Sequence, residues 1–248
     1  MQKVILVFGA GTGLGLAVGR RFGREGYAVA LVARRLEPLN VLAAELAVDG
    51  VSAMAFQADL AHEPQVHEVV RQIVQHYGRI DAIYYSPATT DAIFQPASEM
   101  TPAMFADQLG FLFLGFVASV QATLPHLRAC GGGAILAAYG GSAVEGMSGM
   151  CGPAPVQAAV RNYLQSLHGE LQPEGIHVAI ASISATIKDS AYHQLVEAGE
   201  EGAPEGFDIP IIDPAEIAQD LWHSVSVKKG LEFLYPSPDE AIQQDVSK

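Results

Sequence analysis

The feature of this sequence that most constrains its fold is a glycine-rich turn near the start of the chain. Residues 9–15 read Gly-Ala-Gly-Thr-Gly-Leu-Gly and directly follow an apolar run at 4–8. Glycines allow a tight turn and a close approach of the backbone to a diphosphate, and the free amides at the start of a helix attract negative charge. The turn therefore predicts a nucleotide-phosphate site built from Gly9, Thr12, Gly13, Leu14 and Gly15. A structural explanation stays open, in which these glycines only let the strand and the helix pack closely.

Short apolar runs alternate with segments of helical periodicity along most of the chain. Predicted strands cover 4–8, 28–33, 52–57, 82–85, 134–139, 177–182 and 231–235. Predicted helices cover 13–25, 37–49, 64–77, 101–127, 153–171 and 214–225. Strands separated by helices form parallel sheets that are covered on both faces. The pattern predicts a single α/β domain over 1–248, a doubly wound Rossmann sheet of about seven strands with helices on both faces.

Composition and charge exclude several classes of function. The chain carries 27 acidic and 14 basic side chains, a net charge of −13, which repels nucleic acids and anionic membrane surfaces. The longest non-polar run, 109–120, is too short to span a bilayer, and the first residues lack a cleavable leader pattern. We therefore expect no nucleic-acid or membrane partner.

Cysteine and histidine usage predicts neither a disulfide framework nor a metal site. The two cysteines, Cys130 and Cys151, form no Cys-x-x-Cys pair, and the eight histidines show no metal-ligand spacing. Such a chain suits a reducing compartment, so we expect it in the cytoplasm.

The end of the second predicted strand indicates which nucleotide binds. An acidic residue at this point would bind the ribose 2′-hydroxyl of NAD, but Ala33 stands there and is followed by Arg34 and Arg35. Two guanidinium groups suit a 2′-phosphate. This pair predicts NADP(H) in preference to NAD(H), with an exposed basic start of the next helix as the alternative.

These segments resemble the short-chain dehydrogenase/reductase family, and the resemblance extends from Lys3 to about Pro236. It implies that Thr12 lies beside the phosphates and that Asp59 and Leu60 contact the adenine. It also implies a small-molecule substrate and a homodimer or homotetramer. The matching residues are Gly9, Gly13 and Gly15 in the turn, Arg34, Asp59 with Leu60, Gly115 with Pro125, the Gly-Gly-Gly-Ala-Ile-Leu run at 131–136 and the Leu-His-Gly-Glu-Leu run at 167–171.

The same resemblance locates the family's catalytic asparagine, serine, tyrosine and lysine, and none of the four is present. Their positions hold Leu112, Gly140, Pro153 and Gln157. In the family, the tyrosine exchanges a proton with the substrate oxygen, the serine holds that oxygen, and the lysine tunes the tyrosine and grips the nicotinamide ribose. Proline and glutamine cannot perform this proton transfer. Two further family motifs also change, to Tyr-Ser-Pro-Ala at 85–88 and to Ile-Ser at 183–184.

Several side chains are candidates to replace the missing groups. Tyr139 precedes the serine position, but strand alternation favours a core role. Ser142 lies in a glycine-rich turn, where a turn role is favoured. Lys188, Tyr192 and His193 lie in a predicted substrate lid at 186–212 that includes the acidic, solvated and mobile run 197–208. Tyr84 and Tyr85 end a strand, where packing is favoured over stacking on a ligand.

Three functions remain from the sequence. The first is an atypical NADP(H)-dependent oxidoreductase that transfers a hydride to or from a small, largely apolar substrate, with the proton supplied by water or the lid. The second is a catalytically silent NADP(H)-binding family member that acts as a sensor or a partner subunit. The third, a non-redox enzyme, has no positive support from any residue. Apolar helix faces at 104–120 and 156–167 predict self-association in each case.

Overall fold

A computed structural model gives the fold for residues 1–88, 90, 95–200, 202 and 209–237. Within these ranges, the strands are β1 (Val4–Phe8), β2 (Ala28–Ala33), β3 (Ala53–Gln57), β4 (Ala82–Tyr85), β5 (Gly133–Gly140), β6 (Ile176–Ile183), β7 (Thr186–Ile187), β8 (Ile211–Ile212) and β9 (Glu232–Tyr235). Seven of them form one parallel sheet in the order β3-β2-β1-β4-β5-β6-β9, while β7 and β8 pair with each other. The predicted doubly wound α/β fold is confirmed.

The helices of the described ranges cover both faces of this sheet. They are α1 (Leu14–Arg24), α2 (Leu36–Val48), α3 (Glu63–Tyr77), α4 (Pro102–Gln108), α5 (Gly115–Ala129), α6 (Ala154–Leu171), α7 (Ala191–Ala198) and α8 (Pro214–Val227). Helices α1, α2 and α8 pack on one face, and α3, α5 and α6 on the other. Burial on both faces explains why the central strands are continuous apolar runs.

Strand β1 shows how one apolar run supplies both halves of the core. All five residues of Val4–Phe8 are buried. Val4, Leu6 and Phe8 pack toward α3, α5 and α6, whereas Ile5 and Val7 pack toward α1, α2 and α8. This follows from the period of two along a strand.

The helix predicted over 101–127 differs from the structure in its middle. A π-helical segment, Leu109–Leu114, joins α4 to α5. Directly after it, Gly115 lies against the loop that follows β3, where an added Cβ would be 2.2 Å from the carbonyl oxygen of Leu60. A widened turn of this kind is not visible in residue periodicity because it depends on this close packing.

The helical stretch Pro102–Ala129 is long and apolar enough to cross a membrane by length and composition alone. Its buried residues belong to the core of the domain, since Phe116, Ala118 and Val120 pack in the cluster that also contains β1 and α3. Only 39% of its most apolar window is buried, so part of its apolar surface stays exposed.

The segment between β6 and α8 contains elements that the sequence did not predict. These are the two-residue strands β7 and β8 and the helix α7, whose first turn is capped by the Ser190 side chain on the His193 N–H, at 3.1 Å. Elements this short carry too little periodicity to be recognised. Part of the acidic run predicted as a mobile lid, residues 201 and 203–208, lies outside the described residues.

Candidate functional site

A cleft of about 730 Å³ lies at the carboxyl ends of the central strands. Its floor is the glycine turn after β1, and its sides are the ends of β2, β3 and β4 and one face of α4. Open α/β sheets bind their ligands at this edge, next to the point where the strand order reverses. Strand order β3-β2-β1-β4 places that reversal beside β1, so the glycine turn and the ligand edge coincide.

The glycine turn has the shape of a diphosphate cradle. Gly9 adopts a positive φ of 76°, and a Cβ at this position would lie 2.4 Å from the Cα of Pro87. A Cβ at Gly11 would meet no atom within 4 Å, so the backbone is open to the cleft there. No side chain caps the start of α1, which leaves its first backbone N–H groups available to an anion.

Thr12 and Gly13 contact the segment that follows β7. The Thr12 hydroxyl donates to the carbonyl oxygen of Asp189 at 2.6 Å. A Cβ at Gly13 would lie 3.0 Å from the Cβ of Ser190 and 3.3 Å from Ile187. The structure thus uses the Thr12 side chain to hold this segment on the turn, while the backbone of residues 12–15 lines the cleft.

Arg34 and Arg35 lie at the end of β2 and line the cleft with exposed side chains. Six other arginines form ion pairs, namely Arg20, Arg21, Arg71, Arg79, Arg128 and Arg161. Among the described residues, no carboxylate pairs with Arg34 or Arg35, and Gln57 Nε2 donates to the Arg34 carbonyl at 2.9 Å to fix the backbone. Two guanidinium groups without an ion-pair partner in the described ranges therefore line the same cleft as the glycine turn, in a chain of net charge −13.

The predicted adenine residues Asp59 and Leu60 also line the cleft, at the end of β3. The Asp59 carboxylate is held within its own loop, since one oxygen accepts from the Ala61 N–H at 3.0 Å and the other lies 3.1 Å from His62 Nδ1. Asp59 N–H donates to Gln65 Oε1 at 2.9 Å. These bonds shape the loop and leave Leu60 and Ala61 as the surface that a flat ring would contact.

Sequence reasoning missed Gln108, the last residue of α4. Its side chain lines the cleft, the residue is 7% exposed, and its Oε1 has no hydrogen-bond partner among the described residues. A buried acceptor without a partner costs about 1–3 kcal/mol. The signal in the sequence was a single amide next to the apolar run Leu-Gly-Phe-Leu-Phe-Leu.

The four positions at which the sequence resemblance predicted catalytic residues are Leu112, Gly140, Pro153 and Gln157. Gly140 ends that strand, and its backbone N–H donates to Gln157 Oε1 at 3.1 Å. Pro153 stands at the N-cap of α6, and Leu112 is buried within the π-helical segment. Ser142 lies beside Gly140, with its Oγ 3.6 Å from the place where a Gly140 Cβ would be. The structure thus brings Gly140, Gln157 and Ser142 together at the end of β5.

Tyr139 points away from Gly140 and into a polar network. Its hydroxyl donates to Glu232 Oε1 at 2.8 Å, and Ser182 Oγ donates to the same oxygen at 2.6 Å. Arg161 forms an ion pair with Glu232 at 2.7 Å. Burial raises the pKa of Tyr139 above its usual value, and the Glu232 carboxylate contributes to the rise. The tyrosine therefore keeps its proton at neutral pH.

The remaining candidates lie in two places. Tyr84 and Tyr85 are buried, and the Tyr85 ring packs against Phe8 and Phe116. Lys188 is exposed, and its backbone N–H pairs with Ile212 at 2.9 Å. His193 is buried with Nδ1 3.3 Å from the Asp189 N–H, and Tyr192 is half-buried beside it. Packing accounts for the two strand tyrosines, whereas Lys188 has a free path to solvent.

The described residues contain no group of three or more histidine, cysteine, aspartate or glutamate side chains arranged to hold a metal ion. The cleft instead fits a dinucleotide. The cleft is lined by the glycine turn, by two arginines at the end of β2 and by an apolar surface at the end of β3. It is also lined by Gln108, whose buried Oε1 has no partner among the described residues.

The family follows from the sequence match over this same region. A short chain dehydrogenase family model matches residues 3–198, which include the glycine turn, the cleft and the end of β5. The chain belongs to the short-chain dehydrogenase family. Its fold and its oxidoreductase class are those of the family.

Three known proteins illustrate what this chain is similar to. Oxidoreductase asL5 of Sarocladium schorii is 26% identical over 197 residues, which cover 79% of this chain and 77% of that protein. A variant of the actinorhodin polyketide ketoreductase with NADPH superposes with a TM-score of 0.82 at 21% identity, covering 94% and 95% of the two chains. A short-chain oxidoreductase of Pseudomonas aeruginosa PAO1, described as containing an atypical catalytic centre, has a TM-score of 0.81 at 20% identity, covering 94% and 95%.

Proposed function

We propose that this protein is an NADP(H)-dependent oxidoreductase that transfers a hydride to or from a small, largely apolar substrate. The observation that carries the proposal is that Arg34 and Arg35 line the cleft without an ion-pair partner among the described residues. They share the cleft with the glycine turn, whose backbone is accessible at Gly11. Guanidinium groups bind phosphate oxygens in pairs of hydrogen bonds, and a 2′-phosphate on the adenine ribose falls at the end of β2 in this fold. The structure of the similar actinorhodin polyketide ketoreductase contains NADPH, which is consistent with this choice.

The residues that would hold the cofactor are those of the floor and wall of the cleft. The backbone of Thr12–Gly15 would bind the diphosphate, Arg34 and Arg35 the 2′-phosphate, and Leu60 the adenine ring. Reduced nicotinamide supplies the hydride when it is bound. The protein's contribution is to orient the cofactor and substrate and to exclude water from the reacting atoms.

We further propose that proton transfer does not use the family's serine, tyrosine and lysine. Gly140 and Pro153 have no side-chain proton, and the Gln157 amide oxygen already accepts from Gly140 N–H. Tyr139 is engaged with Glu232. The proton would come from water or from the segment 186–212, in which Lys188 is exposed. The neighbour from Pseudomonas aeruginosa is described as having an atypical catalytic centre, so this fold has precedent for a changed site.

The segment after β7 lies beside the cleft that would hold the substrate. Residues 186–212 would serve as its lid within a single domain, because Thr12 and Gly13 contact Asp189 and Ser190 at the mouth of the cleft.

Exposed apolar side chains on and after α4, including Leu109 and Leu114, would be covered in a homodimer or homotetramer. The two free cysteines suit a cytoplasmic setting.

The deciding experiment is a calorimetric titration of the purified chain with NADPH and NADH, followed by absorbance assays with carbonyl and enone compounds. We expect NADPH to bind in the micromolar range and NADH more weakly, and NADPH to be consumed with one substrate class. No binding of either dinucleotide would overturn the proposal. Tight binding without turnover of any compound would favour the catalytically silent alternative.

A further inference from the structure

Two polar side chains flank the space in front of Gly140, at the carboxyl end of β5. A Cβ on Gly140 would lie 3.2 Å from Gln157 Oε1 and 3.6 Å from Ser142 Oγ. Strand β5 pairs in parallel with β4, and Ser86, directly after β4, lines the cleft. Because the carboxyl ends of parallel strands meet at one edge of the sheet, Gln157 and Ser142 lie beside the β4 end of the cleft.

The bond between Gln157 and Gly140 makes this glutamine a hydrogen-bond donor toward anything else that it meets. Its Oε1 accepts from the Gly140 N–H at 3.1 Å, so the free end of the amide is Nε2, which can only donate. Among the described residues, Gln157 Nε2 and Ser142 Oγ have no hydrogen-bond partner, and neither atom is sealed from solvent. Two neutral donors are therefore available to one ligand group.

The same place holds no acid. No ionisable side chain of the described residues forms a hydrogen bond with Gly140, Ser142 or Gln157. Tyr139, the neighbour of Gly140, gives its hydroxyl proton to Glu232, and burial raises its pKa. Neutral donors stabilise negative charge that develops on an oxygen, but they do not supply that oxygen with a proton.

Hydride addition to a carbonyl compound needs an acid in one case and not in the other. Addition to the carbonyl carbon of a saturated ketone leaves an alkoxide, which is strongly basic and has to be protonated on oxygen as it forms. Addition to the β-carbon of an α,β-unsaturated ketone leaves an enolate, whose charge is shared between the oxygen and the α-carbon. The proton then goes to carbon, and hydrogen bonds to the oxygen are sufficient.

We propose that Gln157 Nε2 and Ser142 Oγ hold the carbonyl oxygen of an α,β-unsaturated ketone or aldehyde, whose carbon–carbon double bond is reduced. The hydride forms a C–H bond at the β-carbon while the π electrons of the double bond move toward the carbonyl oxygen. Water then protonates the α-carbon, so that the enone, NADPH and a proton give the saturated carbonyl compound and NADP⁺. The inference rests on the proposed function and adds to it the substrate class and the residues that select it.

The first test compares substrates that differ only in the double bond, cyclohexenone with cyclohexanone and cinnamaldehyde with its dihydro form. NADPH with deuterium at its hydride position labels the carbon that receives the hydride. We expect the label at the β-carbon, and reduction of the saturated partners about a hundredfold slower because they need an acid. Deuterium at the carbonyl carbon would overturn this inference while supporting the proposed function. NADPH binding without turnover of either compound in a pair would overturn the inference, and no NADPH binding would overturn the proposed function as well.

The second test removes the donors and keeps the fold. Gln157→Glu retains an acceptor for the Gly140 N–H but loses the amide N–H groups, and Ser142→Ala removes the hydroxyl without a change of charge. Gln165→Glu, on the same helix, is the control for the added charge. Each protein is titrated with para-nitrophenolate, a delocalised oxygen anion that resembles an enolate, in the presence of NADP⁺.

We expect Gln157→Glu and Ser142→Ala to bind the phenolate about tenfold more weakly than wild type and Gln165→Glu, because each loses a hydrogen bond to an anion. The rate of enone reduction should fall about a hundredfold in Gln157→Glu, while its calorimetric affinity for NADPH stays at the wild-type value. No binding of the phenolate by wild type, or wild-type affinity and rate in both variants, would overturn the oxygen site and leave the proposed NADP(H) function standing.

Discussion

Gln157 Oε1 accepts a hydrogen bond from the backbone N–H of Gly140 at 3.1 Å, and this bond joins the start of α6 to the end of β5. Only the oxygen end of an amide can accept from N–H, so the orientation of Gln157 is fixed. A Cβ at position 140 would lie 3.2 Å from the same oxygen. The side chain of Gln157 and the missing side chain of Gly140 are therefore fitted to each other.

We predict that Gln157→Leu and Gln157→Lys each lower the free energy of unfolding by about 1 kcal/mol, because the Gly140 N–H loses its partner. Gln157→Glu keeps an acceptor oxygen and should stay near the wild-type value. Urea unfolding measures the difference, and Gln165→Leu on the same helix serves as the control. A Gln157→Leu protein as stable as wild type would contradict the contribution of this bond.

The arginine pair at the end of β2 makes a prediction about binding. Arg34→Ala should weaken NADPH binding by about 1–3 kcal/mol, because a charge-assisted contact to the 2′-phosphate is lost. NADH lacks that phosphate, so its affinity should hardly change. The control is Arg24→Ala, which removes the same charge from an exposed position on α1. Equal NADPH affinity of wild type and Arg34→Ala in calorimetry would remove the 2′-phosphate assignment.

Tyr139 precedes Gly140, the position at which the resemblance predicts a catalytic serine, and a substitution tests whether Tyr139 acts in catalysis. Tyr139→Phe removes its hydrogen bond to Glu232, which should cost about 1 kcal/mol of stability. Ser182 and Arg161 still bond to Glu232, so the carboxylate keeps partners. We expect NADPH affinity and the rate of hydride transfer to stay within about twofold of wild type. A large loss of rate at unchanged affinity would instead make Tyr139 a catalytic residue.

The Glu232 network also has a pH dependence. Burial by itself would raise the pKa of Glu232, but hydrogen bonds from Arg161, Ser182 and Tyr139 outweigh it and lower the pKa below its usual value. A carboxylate with a lowered pKa stabilises the fold above its unfolded-state pKa, and this contribution is lost as the pH falls through the folded-state pKa. The free energy of unfolding of Glu232→Gln should therefore fall less than that of wild type when the pH is lowered from neutral to acidic. Urea unfolding of both proteins at the two pH values measures the difference.

His177, at the start of β6, gives the clearest titration. Its Nε2 lies 3.2 Å from Ser224 Oγ, whose proton is donated to the Leu221 carbonyl, so the ring donates to Ser224 through its Nε2–H. Burial lowers its pKa from 6.5 to about 4, with smaller contributions from nearby His168 and Lys228. The unfolded chain therefore binds a proton that the folded chain refuses between these two values.

Stability should consequently fall as the pH drops from 6.5 to about 4, by up to about 3 kcal/mol. Above pH 6.5 the histidine contributes no further pH dependence. His177→Gln retains a donor for Ser224 and should flatten this part of the stability curve measured by urea unfolding. Exposed His223→Gln should leave the curve unchanged, and an unaltered slope in His177→Gln would contradict the assignment.

The order of strands and helices could be predicted from the sequence because its signals are local. The seven strands of the main sheet begin and end within one residue of the predicted positions, since an apolar run and its flanking turn identify a buried strand. The glycine turn and the two arginines after β2 were recognised in the same way, from residues adjacent in the chain.

Tertiary structure alone decided which side chains meet. The bonds of Gln157 to Gly140, Tyr139 to Glu232 and Thr12 to Asp189 join residues 17, 93 and 177 positions apart. The buried Gln108 Oε1, which has no partner among the described residues, depends on how the end of α4 packs. Periodicity and turn chemistry act over a few residues, whereas these contacts arise only when the sheet has brought distant segments to one edge. The sequence therefore determined the fold and the position of the glycine turn, and the packing of the finished sheet determined which distant side chains lie beside it.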